Sequence, residues 1–254
     1  MVSLALAPQT PLRVIPDVHG QRAAFERLVE EALAQGRFIV QLGDIVDRGP
    51  DSAGALQIML DLVESGHGLM LLGNHEWKLL RALAGAQVRL NPDAERSMRE
   101  IASVKGLSAR FLAARNRMPV YARHGARLFV HGAWDPAMTS DAPLSERDHE
   151  RLLSRALFGQ TTGRLDPKGR PARIWDWVDA LPQGLEVVVG HDWRGPSVVL
   201  ERPGRGGGKA RLLDLGSGKG GPLAHMDIEP DGRAKFSHPV ARWEGAVFQL
   251  EEAF

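Results

Sequence analysis

Three times in its first third, the chain runs from a short apolar stretch into a polar, glycine-containing loop and then into a helical period. Residues 12–15 lead into Asp17-Val18-His19-Gly20 and a helix predicted near 21–34. Residues 38–42 lead into Gly43-Asp44-Ile45-Val46-Asp47-Arg48-Gly49-Pro50 and a helix predicted near 51–65. Residues 69–72 lead into Gly73-Asn74-His75-Glu76 and a helix predicted near 77–84. Buried strands that alternate with helices form a parallel sheet. The polar residues therefore collect where strands end, the edge at which open α/β sheets bind ligands.

The remainder follows a looser pattern. Residues 88–118 read as mostly helical and Arg-rich, an insertion or a cap over the site. Residues 127–130 form a strand that ends at His131, 144–157 a surface helix, and 185–189 a strand that ends at Gly190-His191. Beyond it, 197–200, 210–215, 223–228 and 247–250 are short runs broken by Gly and Pro, which predicts an antiparallel sheet packed on the first. Residues 202–209, with four glycines, read as a mobile loop. The fold class expected is α/β, a two-sheet β-sandwich core flanked by helices, in a single domain over residues 1–254. A chain of 254 residues that is 43% hydrophobic can bury such a core.

Charge and cysteine usage narrow the function. Lys plus Arg number 32 against 31 for Asp plus Glu, so no global field favours nucleic acid, although a local basic groove is compatible with that balance. With no cysteine there is neither a disulfide framework nor a cysteine nucleophile. Residues 1–11 lack the basic start and apolar run of a signal peptide and read as a ragged leader. No stretch reaches the roughly 18 apolar residues of a membrane helix. These features suit a cytoplasmic enzyme.

Asp, His and Asn recur at strand ends five times. Two divalent ions need about that many oxygen and imidazole ligands. Two such ions about 3.5–4 Å apart need a bridging carboxylate and can clamp both the attacking and the leaving oxygen of a phosphoryl displacement. Asp17 and His19, two residues apart on one loop, can reach the same ion. Asn74 offers a neutral carbonyl oxygen, His131 and His191 follow apolar strands, and Asp44, on the middle loop, is best placed to bridge. Simple capping explains isolated Asp and Asn at such positions, but not why His closes two apolar strands.

In their order, Asp17-Val18-His19-Gly20, Gly43-Asp44-Ile45-Val46-Asp47-Arg48-Gly49, Gly73-Asn74-His75-Glu76, His131-Gly132 and Gly190-His191 resemble the motifs of phosphoprotein-phosphatase-type calcineurin-like metallophosphoesterases, across roughly residues 12–228. The resemblance implies two divalent metal ions, with Mn the first choice and Fe, Zn or Ni alternatives. It implies that Asp17 and His19 bind the first ion, Asp44 bridges, and Asn74, His131 and His191 bind the second. Arg48, with Asn74, would hold the phosphate, a role suited to a bidentate guanidinium. His75 would protonate the leaving oxygen, Asp47 would orient His75, and a metal-activated water would attack. The chain departs from the pattern at Pro16, at Ala133-Trp134, and at Asp192-Trp193, where Thr or Ser commonly follows the His.

A second segment, Arg155-Ala156-Leu157-Phe158-Gly159-Gln160-Thr161-Thr162-Gly163 with Gly169-Arg170-Pro171-Ala172-Arg173, is similar to the phosphatase module of bacterial polynucleotide kinase-phosphatases. That resemblance implies a phosphorylated substrate such as a nucleotide or nucleic-acid end, monoester or diester. It also implies phosphate contacts from Arg155 and Arg173 and a place for Asp214 near the metals. The shared motifs alone fit a protein serine/threonine phosphatase or a dinucleoside-tetraphosphate hydrolase, and a non-catalytic phosphate-binding regulator is a third class. Gly216-Ser217-Gly218-Lys219-Gly220-Gly221 matches a dinucleotide fingerprint in letters only. Pro222 follows where a helix would have to start, so a hairpin turn is expected there. Trp134, Trp175, Trp177 and Trp193 read as core or pocket packing ahead of base stacking. Arg110, Arg115, Arg117, Arg123 and Arg127 read as a solvated face.

Overall fold

The computed structural model describes residues 3–165, 169, 171–194, 197–244 and 247–250. After β1 (Ser3–Leu6) come the three expected units: β2 (Leu12–Ile15) with α1 (Arg22–Ala34), β3 (Phe38–Gln41) with α2 (Ser52–Ser65), and β4 (Gly68–Met70) with α3 (Asn74–Leu83). α4 (Pro92–Ser103) and α5 (Leu107–Ala114) follow, then β5 (Tyr121–His124), β6 (Arg127–Val130), α6 (Glu146–Phe158), β7 (Thr161–Leu165), β8 (Pro171–Arg173), the short α7 (Asp176–Asp179) and β9 (Glu186–Val189). The chain closes with β10 (Val199–Pro203), β11 (Lys209–Leu212), β12 (Met226–Ile228), β13 (Ala234–Phe236), β14 (Val240–Glu244) and β15 (Val247–Leu250).

Two large sheets result. The first has the order β13-β12-β2-β3-β4, with β2, β3 and β4 parallel as expected. The second has the order β1-β5-β6-β9-β11-β10-β14-β15, and β7 pairs with β8 separately. Alternation along the strands separates the layers. In β3, Ile39 faces the α-helices and Val40 faces the second sheet. In β6 and β9, Phe129 and Val188 face the first sheet, while Leu128, Val130, Val187 and Val189 face outward onto Trp175, Trp177 and Leu152 of α6. Each fully buried Val, Leu, Ile or Phe stabilises this layered arrangement by about 1.5–3 kcal/mol.

The second sheet differs from the antiparallel one expected. β6, β9 and β11 are parallel neighbours, as are β10 and β14, while β5–β6, β10–β11 and β14–β15 are antiparallel. The strands before His131 and His191 belong here, not beside β2–β4. Within the stretch expected as a ragged leader, β1 (Ser3–Leu6) pairs in parallel with β5, Ser3 opposite Tyr121. Residues 202–209 make a hairpin corner in which Gly204 N–H donates to Gly208 O at 2.8 Å. After β11 the chain does not turn back as a hairpin. It crosses to the first sheet, where β12 runs antiparallel to β2.

α4 and α5 lie against α2. Ala94, Ile101, Leu107, Phe111 and Met118 share one apolar cluster with Leu56, Met59 and Leu60. Arg96 donates to the carbonyls of Arg48 (2.8 Å) and Gly49 (3.1 Å), and Glu100 accepts from Ser52 N–H at 2.8 Å. This segment buttresses the second motif loop from outside, and none of its residues lines the main cavity.

Candidate metal centre

The carboxyl ends of β2, β3, β4, β6 and β9 meet along one edge, so five short loops converge. Their backbones are held in unusual shapes. Six non-glycine residues among those described have left-handed φ, and five are His19, Asp44, Asp47, Arg48 and His191, between 49° and 71°. Such conformations cost about 1–3 kcal/mol each and persist only where the surroundings impose them. The impositions are visible. Val18 and His19 N–H both donate to Asp44 O at 3.0 and 2.9 Å, and Gly49 N–H donates to His19 O at 2.9 Å. Gly49 has to be glycine, since a Cβ would fall 2.0 Å from His19 O.

Asp44 sits at the middle of the cluster. Its Oδ2 is 3.4 Å from His131 Nε2, 3.7 Å from His75 Nε2 and 3.9 Å from His19 Nε2. The ligand atoms of His19, Asp44 and His75 lie within 4.8 Å of one another, as do those of Asp44, His131 and His191, so Asp44 belongs to both groups. Asp17 Oδ2 is 3.7 Å from His19 Nε2, and Asp17 Oδ1 accepts from His191 N–H at 2.8 Å. His19 Nδ1 donates to Val46 O (2.9 Å) and His131 Nδ1 to Leu42 O (3.0 Å), which leaves both Nε2 atoms facing inward. Asn74 Oδ1 lies 3.0 Å from His131 Nε2. The structure thus brings together all six residues expected as ligands.

The electrostatics are those of a site short of positive charge. Asp17 is pushed well above the usual carboxylate range by burial and then by Asp214 and Asp44. Asp214 is likewise raised by burial. Burial alone would lower His131, but Asp44, Asp17 and Glu76 outweigh it and raise the imidazole to about 9. Burial would also raise Asp44, yet His131, His75 and His19 hold it well below its ordinary value. His19 is depressed to about 3 by burial, with Arg48 and His75 adding to the effect. His191, whose Nε2 is buried with no hydrogen-bond partner among the described residues, is depressed well below normal by burial, His131 and Arg173. Buried carboxylates that hold an extra proton on an imidazole, beside an orphaned imidazole nitrogen, fit hard or borderline divalent cations.

His75 differs from the other imidazoles. Its Nδ1 lies 2.5 Å from buried Asp47 Oδ2, and against burial Asp44 and Asp47 raise its pKa. Arg48 Nη1 donates to His19 Nε2 at 2.8 Å, and the guanidinium also lines the cavity. That cavity measures about 500 Å³ and is bordered by Asp44, Asn74, His75 and His191 on its floor and by Arg173, Arg194 and Lys219 on its walls. Arg173 is therefore at the site. Arg155 is not, because its Nη1 points to Asp135 Oδ2 at 3.4 Å. Arg170, in the same segment, lies outside the described residues.

Three contributors are given no role by the motifs. Glu76 is fully buried and clamps the second loop, accepting from Asp44 N–H at 2.7 Å and Ile45 N–H at 2.8 Å. Burial, with Asp44 next, pushes it up to about 7. Asp192 anchors two wall arginines, Arg194 at 2.8 Å and Arg173 at 3.4 Å. The 216–219 turn lies on the site itself. Ser217 Oγ donates to Asp17 O at 2.6 Å, and a Cβ at Gly218 would fall 2.5 Å from His19 Cδ2. The glycine density of that turn is the signal of close backbone approach that could have located it. Trp134, Trp175 and Trp177 are core residues, while Trp193 borders the cavity. His225 is on the far hairpin, its N–H donating to Ser237 Oγ at 2.8 Å.

A family model described as calcineurin-like phosphoesterase matches residues 10–202. The chain is 29% identical over 194 residues to a bis(5'-nucleosyl)-tetraphosphatase [asymmetrical] of Bacillus subtilis, covering 70% of this chain and 77% of that one. A solved structure proposed to be a diadenosine tetraphosphatase superposes with a TM-score of 0.63 at 21% identity, covering 96% of this chain and 99% of that one. A protein serine/threonine phosphatase from Saccharomyces cerevisiae superposes with a TM-score of 0.56 at 16% identity, covering 97% and 86%. No helix among the described residues is long and apolar enough to cross a membrane.

Proposed function

Because the chain belongs to the calcineurin-like phosphoesterase family and is a metal-dependent phosphoric ester hydrolase, we propose that it cleaves a nucleotide bearing a chain of phosphates, of the dinucleoside tetraphosphate type. The observation that carries this reading is the cavity wall. Arg48, Arg173, Arg194 and Lys219 surround the acidic centre, and four cationic groups suit a polyanion better than a single phosphate. The names of the curated relatives point the same way.

Asp17, His19 and Asp44 would hold one ion and Asp44, Asn74, His131 and His191 the other, with Mn as the proposed metal. When bound, the ions supply an activated water and neutralise charge on the phosphate oxygens. Arg48 and Arg173 bind phosphate oxygens on the open side, together with Asn74. Asp47 accepts from His75 Nδ1–H, so His75 Nε2 faces the cavity and hands its proton to the leaving oxygen. Glu76 keeps Asp44 aimed. A single domain over residues 1–254, with 88–118 as buttress, and a cytoplasmic location complete the reading; the absence of cysteine suits a reducing compartment.

The nucleic-acid-end reading has one supporting observation, Arg173 at the cavity, since Arg155 turns away. Metal-stripped protein given Mn and offered diadenosine tetraphosphate, a 2′,3′-cyclic nucleotide, an aryl monophosphate and the matching diester separates the readings. Turnover of the tetraphosphate to mono- and triphosphate, ahead of the others, is expected. Preference for the cyclic nucleotide and diester would replace it with the nucleic-acid-end reading. Turnover of the aryl monoester alone would replace it with a protein phosphatase.

A further inference from the structure

Among the described residues, Trp193 is the one large apolar side chain that is both exposed and part of the cavity wall. It is 38% exposed, while Leu4, Leu33, Phe158 and Leu165, the other exposed large apolar residues, lie elsewhere. It follows the metal-site His191 by two positions, where the chain departs from the family pattern.

The ring is in contact with the turn that crosses between the sheets. Gly216 has φ +81°, and a Cβ there would lie 3.0 Å from the indole Nε1 and 3.1 Å from Cδ1 and Cε2. Near-equal contact with three atoms of the ring is packing against it, and only glycine permits it. Lys219 Nζ stands 4.6 Å from the ring centroid, a cation–π contact, and Lys219 borders the same cavity. The same turn touches Asp17 and His19, so the indole is fixed relative to the metal centre. A cavity of about 500 Å³ is in the range that holds a nucleotide.

We propose that Trp193, backed by Gly216 and Lys219, is the platform on which the nucleobase of the substrate stacks while its phosphates meet the metal centre. The arrangement selects nucleoside-bearing phosphates over bare sugar phosphates. The proposal rests on the nucleotide reading of the substrate.

The test is calorimetric binding to the Mn-loaded protein of two phosphonate analogues, one of AMP and one of ribose 5-phosphate, in which carbon replaces the bridging ester oxygen. The wild type is expected to prefer the adenosine analogue by about tenfold or more, the scale of a base stacked on an aromatic side chain. Trp193→Ala should bring the ratio near one, and Trp193→Phe should keep most of it. No preference in the wild type, an unchanged ratio in Trp193→Ala, or equal weakening of both analogues would overturn the platform. A wild type that prefers the adenosine analogue through Trp193 yet leaves diadenosine tetraphosphate uncleaved would remove the tetraphosphate reading and keep the platform.

Discussion

His75 and Glu76 are neighbours with different jobs, and each gives a separable prediction. His75 is tied to Asp47 at 2.5 Å and lies 3.7 Å from Asp44 Oδ2 without being required to hold either proposed ion. His75→Ala should keep bound metal and lose roughly 10²–10⁴-fold in turnover, the usual scale of general-acid catalysis. The loss should be greatest for aryl and alkyl esters whose leaving groups have high pKa. Equal slowing across leaving groups would argue against proton transfer. Glu76 acts on stability. Glu76→Ala strips buried partners from the N–H groups of Asp44 and Ile45, each worth about 1–3 kcal/mol when left unsatisfied. Thermal unfolding should fall by roughly 10 °C for a chain of this size, and an unchanged midpoint would show that the clamp is dispensable. That Asp17, His19, Asp44, Asn74, His131 and His191 converge was legible, because their identities and their order at strand ends carry it. The roles of Glu76 and Asp192 were not, because they act through backbone N–H groups and guanidinium anchoring, which leave no spacing pattern.

At the scale of elements, loop shape depends on absent side chains. Gly73 precedes α3, and a Cβ there would lie 2.3 Å from Asp44 N and 2.5 Å from Glu76 Oε2. Gly73→Ala should therefore weaken metal affinity and stability together, measured by dialysis and by melting, whereas Gly85→Ala, at φ +84° with open space around its Cβ, should cost stability through backbone strain alone and leave metal affinity intact. A Gly73→Ala protein with normal metal affinity would show that the loop can yield. The β-α units of the first third were readable because each strand and its helix are local and strongly periodic. The second sheet was misread because β6, β9 and β11, though buried like β2–β4, pair across long intervening segments, Val130 opposite Val189 for example. Burial fixes the strand, but only tertiary packing decides which sheet it joins. The glycines of the 202–209 corner serve tight contacts (a Cβ at Gly204 would meet Val178 O at 1.9 Å), which composition alone does not distinguish from a linker.

Across the whole molecule, buried ion pairs tie distant segments together. Arg13 of β2 donates to Asp227 of β12 twice at 2.8 Å, across 214 residues. Burial would raise Asp227, but the bonds and charge of Arg13 lower it below its ordinary value. A depressed folded pKa means the stability is present above the unfolded value of about 3.9 and is lost as pH falls through the folded one. Asp227→Ala should cost about 3 kcal/mol near neutrality, and its deficit relative to wild type should shrink below about pH 4. A deficit independent of pH would assign it to packing. The metal centre is built on the same scale, with Asp17, His19, Asp44 and Asn74 supplied by the first sheet's loops and His131 and His191 by the second. Asp44 belongs to both candidate ligand groups, so both proposed ions depend on it. Manganese content after equilibrium dialysis, measured with turnover for wild type and Asp44→Ala, tests that dependence most directly. Two ions are expected in the wild type, and loss of bound metal together with activity in the variant. An Asp44→Ala protein that retains two ions and normal turnover would contradict it.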